Sequence, residues 1–319
     1  MRILIIQNRM GIGDMVIFLP FVEAISKNFG IPVSLLVKES TKANHYLKYN
    51  KFVKEIKFLK RSNNTKGEHD GIRGFFQLKN ELKKENFDVV FIFNSSLRYY
   101  LICKLAKIKK IYQYPLFKKK KQHLVNAAKK LLLDKLNLQV NSDPKIEINN
   151  ESIKDARNFY NFESKKLNIL LGIGGSGPTK RIPAKIFNEF ISLCLKKYDC
   201  NFFLATGLKN DEQIILREIK EKYGNICTPL DKLSISETLP VIKNCNISIC
   251  NDSSFSHISA GLEIPTIVLM SDTPLMYGSY NSKMHPIIPD GVEVVTHGTQ
   301  GKNHINPKKI FEKFEEILN

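Results

Sequence analysis

The chain has 319 residues, 43% of them hydrophobic, and 49 Lys and Arg stand against 31 Asp and Glu for a formal charge of +18. That length allows two ordinary domains with a substantial core, and the composition excludes a disordered or collagen-like chain. No apolar run approaches the roughly 20 residues that span a bilayer, so the positive excess points to an anionic partner: nucleic acid, a membrane surface, or a phosphorylated or acidic substrate. Part of the excess lies in Lys104, Lys107, Lys109, Lys110 and the run Lys118–Lys121, which by itself reads equally well as a solvated face. No RNP1 motif, zinc finger or DNA-reading module accompanies the charge, and nucleic acid is not expected as a partner. The cysteines at 103, 194, 200, 227, 245 and 250 show no CxxC pairing and lie in apolar or helical contexts. They read as reduced core residues, which implies a cytoplasmic compartment and no zinc site.

In chain order, Ile3–Ile6 is a continuous apolar strand, too short for the apolar region of a secretion signal. The loop Gln7–Asp14 leads into a helix with Val16, Leu19, Val22, Ile25 and Phe29 facing inward, Pro20 near its first turns and Gly30 closing it. Val33–Val37 follows as a second strand, so the chain opens on a parallel βαβ unit. The pattern then predicts a strand at Val53–Leu59, a basic surface loop over 60–74, a helix at Phe75–Lys84 and a buried strand at Val89–Phe93. A helix at Ser96–Lys107 and a short strand at Ile111–Gln113 complete this half. Lys118–Leu138 is helical and basic, 141–153 polar and irregular, and Lys154–Phe162 helical again. The domain division is expected here, giving 1–155 and 156–319.

From Leu167 the α/β rhythm restarts, with strands at Asn168–Gly172 and Asn201–Ala205 and helices at Pro183–Lys197, Asp211–Lys222 and Ser236–Lys243. Cys245–Pro274 reads as strand, polar loop, helix, strand: His257, Ile258, Ala260 and Leu262 recur at helical spacing, Pro265 is the stop and Thr266–Met270 the next strand. The tail Pro307–Leu318 carries Ile310, Phe314 and Leu318 on one face and could pack back on the first domain. The fold class is α/β, two doubly wound Rossmann-like domains facing across a cleft, with ligands beyond the carboxyl ends of the strands.

Three clusters of residues carry candidate chemistry. Gly11-Ile12-Gly13 invites comparison with the dinucleotide fingerprint, and Glu39 falls where a ribose-binding acid would. The third glycine is replaced by Val16, however, and Asp14 puts a carboxylate where a pyrophosphate would lie. Asp14 suits proton abstraction from a hydroxyl, or it is an ordinary helix cap. In the second half, Ser176, Thr179 and Lys180 follow a strand in a glycine-rich turn and suit phosphate oxygens; Arg181 either does the same or lies along the surface. Asp252, Ser253 and Ser254 are types that start a helix and leave backbone N–H groups for a diphosphate, with His257 in the first turn; alternatively they only cap the helix and His257 packs. Glu212, beside Asp211, could hydrogen-bond a ribose hydroxyl or simply stabilise its helix terminus.

Taken together, these segments resemble a known family. MRILIIQNRMGIGDMVIFLP resembles the N-terminal signature of family 9 glycosyltransferases, the ADP-heptose:lipopolysaccharide heptosyltransferases, including Asp14 and Pro20. GGSGPTKRIPAKIF resembles their donor loop through Ser176 and Lys180, and NDSSFSHISAGLEIPTIVLMSDTP their most distinctive segment through Asp252 and His257. The chain departs from the family in having Ser253-Ser254 after the aspartate, Ile182 before Pro183 with no Trp anywhere, and Gln7 or Asn8 where some members carry a basic residue on the first strand.

The resemblance implies a GT-B fold and an inverting, metal-independent transfer with no cofactor beyond a nucleotide sugar. The implied donor is ADP-heptose, and the implied acceptor an anionic, lipid-linked lipopolysaccharide or lipooligosaccharide core or a related glycan at the inner face of the cytoplasmic membrane. Asp14 is the implied base. Ser176, Thr179, Lys180, Glu212, Asp252, Ser253, Ser254, Phe255 and His257 are expected on the donor, and Arg9, Gly11, Gly13, Arg61 and Asn94 on the acceptor. Two other readings fit the residues alone: an NAD-dependent oxidoreductase using Gly11, Gly13 and Glu39, and a non-catalytic binder of anionic glycan or nucleic acid.

Overall fold

Apolar runs such as Ile3–Ile6 and Val89–Ile92 can be buried on both faces only in a parallel sheet flanked by helices, and the computed structural model contains two such sheets. It describes residues 1–61, 67–116, 123–162 and 165–319, so the Lys118–Lys121 run and the middle of the 60–74 loop lie outside the described residues. The chain divides into two compact units, Met1–Ser142 and Asp143–Asn319.

The first unit runs β1 (Ile3–Gln7), α1 (Ile12–Phe29), β2 (Val33–Lys38), the single turn α2 (Ala43–Tyr46), β3 (Val53–Leu59) and α3 (Gly71–Lys84). It continues through β4 (Val89–Ile92), α4 (Leu97–Leu105), β5 (Lys110–Gln113) and α5 (Leu124–Leu136). The parallel strands lie in the order β3-β2-β1-β4-β5. Because side chains alternate along a strand, Leu4, Ile6, Val90 and Ile92 face α3 and α4, where they meet Leu78, Leu82, Tyr99 and Ile102. Phe91 points the other way, toward Phe29 of α1. Val16, Leu19, Val22 and Ile25 are buried as expected, and Gly30 ends α1 in the left-handed region at φ 69°. Pro20 stands mid-helix rather than in the first turns, and α3 begins at Gly71, inside the expected loop.

The second unit runs α6 (Asn150–Phe159), β6 (Leu167–Gly172), α7 (Ala184–Leu195), β7 (Cys200–Ala205), α8 (Asn210–Tyr223) and β8 (Cys227–Pro229). Then come α9 (Ile235–Lys243), β9 (Ile247–Asn251), α10 (Ser254–Gly261), β10 (Thr266–Leu269), β11 (Met284–Ile287) and α11 (Pro307–Leu318). The strand order is β11-β10-β9-β6-β7-β8. A division after residue 155 would cut α6, which stays with the second unit: Asn244 Nδ2 donates to the Ile153 carbonyl at 2.9 Å. Helix α10 ends at Gly261, before Pro265, with Glu263 left-handed at φ 66°. The strands β8 and β11 have no counterpart in the sequence pattern. Each is short and contains a proline (Pro229, Pro286), and both are edges of the sheet, where a missing N–H is tolerated.

Helix α11 seats Ile310, Phe311 and Phe314 in the core of the second unit, among Phe187, Phe190 and Ile191 of α7. Phe190 and Phe314 meet edge to face at 5.7 Å between centroids, so the apolar stripe of the tail is satisfied within its own unit. All six cysteines are free and buried. Phe190→Ala is expected to destabilise the chain by about 3–5 kcal/mol through the cavity it leaves, read as a drop in urea midpoint at unchanged slope.

Candidate active site

In each unit the strand order reverses between two adjacent strands, the place from which loops leave toward opposite faces of an open α/β sheet. In the second unit the reversal lies between β6 and β9, which pair in parallel with Gly172 opposite Cys250. Asn251, the last residue of β9, is fully buried and donates its amide to the Ile173 carbonyl at 2.7 Å, so the two loops are sewn together at their roots.

Beyond that stitch, Lys180 Nζ from the loop after β6 lies 2.7 Å from Asp252 Oδ2 at the end of β9. Asp252 is 6% exposed. Burial works to raise its pKa, but Lys180 and His257 outweigh this and hold the carboxyl below its usual value. The N-cap of α10 is Ser253, whose hydroxyl makes no capping bond and is buried without a partner among the described residues. Ser254 and Phe255 open the helix, and their half-buried backbone carries the N–H groups that a helix leaves unpaired. His257, in the next turn, is buried, and its Nδ1 lies 2.9 Å from the hydroxyl of Tyr280.

The loop after β6 owes its shape to buried charges. Arg181 is 7% exposed, donates to the Gly175 carbonyl at 2.8 Å and pairs with Asp211. Glu212 Oε1 accepts from the Gly175 N–H at 2.9 Å. A Cβ on Gly174 would come within 2.8 Å of that carboxylate, and one on Gly207 within 2.6 Å, so a side chain at either position would displace the Glu212 carboxylate. Of the residues expected on the donor, Glu212 is therefore engaged in shaping the loop. Ser176 is exposed at the loop tip, and the Thr179 carbonyl accepts from Ser271 at 2.9 Å. Lys180 follows through a tight turn in which its N–H reaches the Gly177 carbonyl.

In the first unit the reversal lies between β1 and β4. Gly11 is the N-cap of α1, and Asp14 folds back so that Oδ2 accepts from the Gly11 N–H at 3.2 Å. Its other oxygen lies 3.4 Å from Arg9, and a quarter of the side chain stays exposed. The cap-like and the accessible readings of Asp14 thus describe the same carboxylate.

A cavity of about 890 Å³ opens at this end of the sheet, with Arg9, Phe93, Asn94, Gln113, Tyr114 and Lys130 among its walls. Asn94 Oδ1 accepts from the Ser96 N–H at 2.9 Å, and Gln113 donates to the Asn94 and Ser96 carbonyls at 3.0 Å each. Asn94 Nδ2, Gln113 Oε1 and the Tyr114 hydroxyl are buried without partners among the described residues. Arg61 does not line this cavity and pairs with Asp70 at 2.9 Å. Among the described residues no group of three His, Cys, Asp or Glu could hold a metal ion, and no helix is long and apolar enough to cross a membrane.

Sequence reasoning missed Gln113, Tyr114 and Tyr280. Gln113 ends an edge strand of only four residues and Tyr114 follows it, and Tyr280 sits in an irregular stretch without periodicity.

The sequence model of a family described as "Glycosyltransferase family 9 (heptosyltransferase)" matches residues 75–289. No curated protein resembles the chain significantly in sequence. Among solved structures, the ADP-heptose lps heptosyltransferase II of E. coli aligns at TM-score 0.76 and 17% identity over 100% of this chain and 98% of that one. A glycosyl transferase family 9 protein of Veillonella parvula aligns at 0.77 and 19% identity over 99% and 97%. E. coli heptosyltransferase WaaC with ADP aligns at 0.71 and 16% over 99% and 100%.

Asp252→Asn is expected to lower stability by about 1–3 kcal/mol near neutral pH, because Lys180 loses a buried anionic partner. The folded-state pKa of Asp252 is depressed, so its contribution is complete above the unfolded value and is lost as pH falls through the folded one. The gap between wild type and variant should hold steady from pH 6 to 8 and close below about pH 4, as followed by thermal melts.

Proposed function

Because the chain belongs to glycosyltransferase family 9 and is a glycosyltransferase, we propose that it moves a sugar from a nucleoside diphosphate held by the second unit to an acceptor hydroxyl activated by Asp14 of the first. Membership replaces the two other readings of the sequence, an oxidoreductase built on Gly11, Gly13 and Glu39 and a non-catalytic anion binder. The observation that carries the proposal is the pairing of Lys180 with Asp252 at the strand reversal, beside His257 and the start of α10.

Asp14 takes the proton of the acceptor hydroxyl while that oxygen forms its bond to the anomeric carbon. The bond from that carbon to the diphosphate breaks, the diphosphate leaves with the electron pair, and the anomeric centre inverts. Charge accumulates on the leaving oxygen, where the Lys180 ammonium, the His257 ring and the N–H groups of Ser254 and Phe255 would meet it. No metal ion is invoked in this scheme; the protein's own cation and backbone donors take the charge. Asp252, an anion itself, acts by aiming Lys180 and His257, while Ser176 and Thr179 offer hydroxyls to the phosphates.

ADP-heptose is the donor favoured by the similar E. coli structures, one an ADP-heptose lps heptosyltransferase and another a heptosyltransferase with ADP. The cavity beside Asp14, with Arg9 and Lys130 in its wall and amide and phenol groups in want of partners, suits an anionic sugar of a lipid-linked core glycan. An excess of positive charge fits a protein that works in the cytoplasm at the inner membrane face.

Asp14→Asn should lower transfer by about 10²–10⁴-fold while leaving ADP affinity by calorimetry unchanged; near-normal turnover would remove Asp14 as base. Lys180→Ala should weaken ADP binding by roughly tenfold or more, the loss of one charge-assisted contact. An unchanged affinity would withdraw Lys180 from the donor site. A panel of nucleotide sugars, scored by slow donor hydrolysis, would identify the base and the sugar.

A further inference from the structure

Helix α4 breaks the usual rule for a helix on a sheet. Its inner side buries Tyr99, Ile102 and Cys103 against β1 and β4. Its outer side should then be polar, yet Leu97, Leu101 and Leu105, spaced by four, are 49%, 38% and 49% exposed. Helices apolar all round are ordinarily covered on both sides. The first turns of α3 extend the stripe with Ile72 and Phe76, 78% and 51% exposed. Arg98 holds the two helix starts together by donating to the His69 and Gly71 carbonyls and lying over the Phe75 ring at 5.4 Å. Exposed apolar rows on two neighbouring helices are the kind of feature that marks a docking site.

The fringe of the stripe is cationic. Arg73 on α3 and Lys104, Lys107, Lys109 and Lys110 around the end of α4 are all exposed. The acids nearby are already engaged: Glu81 with His69 at 3.1 Å, Glu85 with Arg2 and Lys57, and Asp88 with Lys109 at 3.6 Å. Leucines standing proud between lysines match a surface that is anionic at its boundary and hydrocarbon beneath, where the apolar side chains sink and the ammonium groups stay among the headgroups. A second copy of the chain would oppose the same lysines to each other, and like charges disfavour that pairing.

We propose that the outer face of α3 and α4 is the surface by which this protein sits on an anionic lipid bilayer. The biological sense of this docking rests on the lipid-linked acceptor of the preceding reading; the docking itself does not require sugar transfer. Lipid contact is made by Leu97, Leu101 and Leu105 with Ile72 and Phe76 as the second row, and the lysines select anionic headgroups. The face is distinct from the Asp14 and Lys180 loops.

The test uses the full chain with vesicles of phosphatidylglycerol in phosphatidylcholine and with vesicles of phosphatidylcholine alone. Wild type should co-sediment with the first and only weakly with the second, and added salt should weaken the binding. The double variant Leu101→Glu/Leu105→Glu should bind roughly tenfold or more weakly, since it forfeits apolar transfer and adds charge of the wrong sign, with ADP affinity unchanged. A second measurement covers misfolding of that variant: Leu101→Cys carrying an environment-sensitive dye should shift to the blue on anionic vesicles. Selective labelling is feasible because the native thiols are buried and burial pushes them up, Cys250 to about 12. Wild type that ignores anionic vesicles, a double variant that binds like wild type, a dye that does not respond, or a wild-type dimer that the double variant dissolves would each overturn the proposal. Transfer activity enters none of these readouts, so a failure of docking and a failure of the transferase reading are separate results.

Discussion

The ion pair between Lys180 and Asp252 is the constraint around which the second unit is arranged. One partner comes from the loop after β6 and the other from the end of β9: the two residues are 72 apart in the chain, and their strands are adjacent in the sheet. A buried carboxylate is costly unless it is paired, so burying Asp252 fixes where the ammonium must stand. The loop that delivers Lys180 is disciplined in turn by Arg181, Asp211 and Glu212, all of which act on Gly175 or its surroundings. The position of the Lys180 ammonium therefore depends on a set of charges beyond its own partner.

A comparable economy holds at Asp14. Its carboxylate completes the start of α1 through the Gly11 N–H while remaining open enough to meet a hydroxyl. The backbone bond fixes the direction of one oxygen, and Arg9 lies near the other. In the proposed role of a base, a carboxylate oriented by its own backbone bond is placed before the hydroxyl arrives.

Much of this arrangement was legible in the sequence, for reasons that differ by element. The continuous apolar strands and the helix with Val16, Leu19, Val22 and Ile25 inward follow from periodicity, and the presence of two sheets follows from the α/β rhythm that restarts at Leu167. Asp14, Lys180, Asp252 and His257 stood out as polar groups in the loops and helix starts that follow strands, although the pattern did not separate a capping or packing role from a chemical one. What stayed hidden obeys no period. Tyr280 reaches His257 from an irregular segment, Gln113 at the end of a four-residue edge strand and Tyr114 just beyond it complete a cavity, and the bond from the Gly175 N–H to Glu212 joins residues 37 apart in the chain. Such contacts are decided by tertiary packing, which a one-dimensional pattern does not encode.

The two prolines at the margins of the larger sheet have a consequence for how the protein survives crowding. An outermost strand ordinarily presents a ladder of hydrogen-bonding groups to any stranger that drifts alongside, which is the route by which sheets of different molecules fuse. With Pro229 on one flank and Pro286 on the other, each ladder lacks a rung and each flank is only a few residues long. Growth of this sheet by recruitment from a neighbouring molecule is blocked at both ends, without spending a single side chain that ligand binding requires.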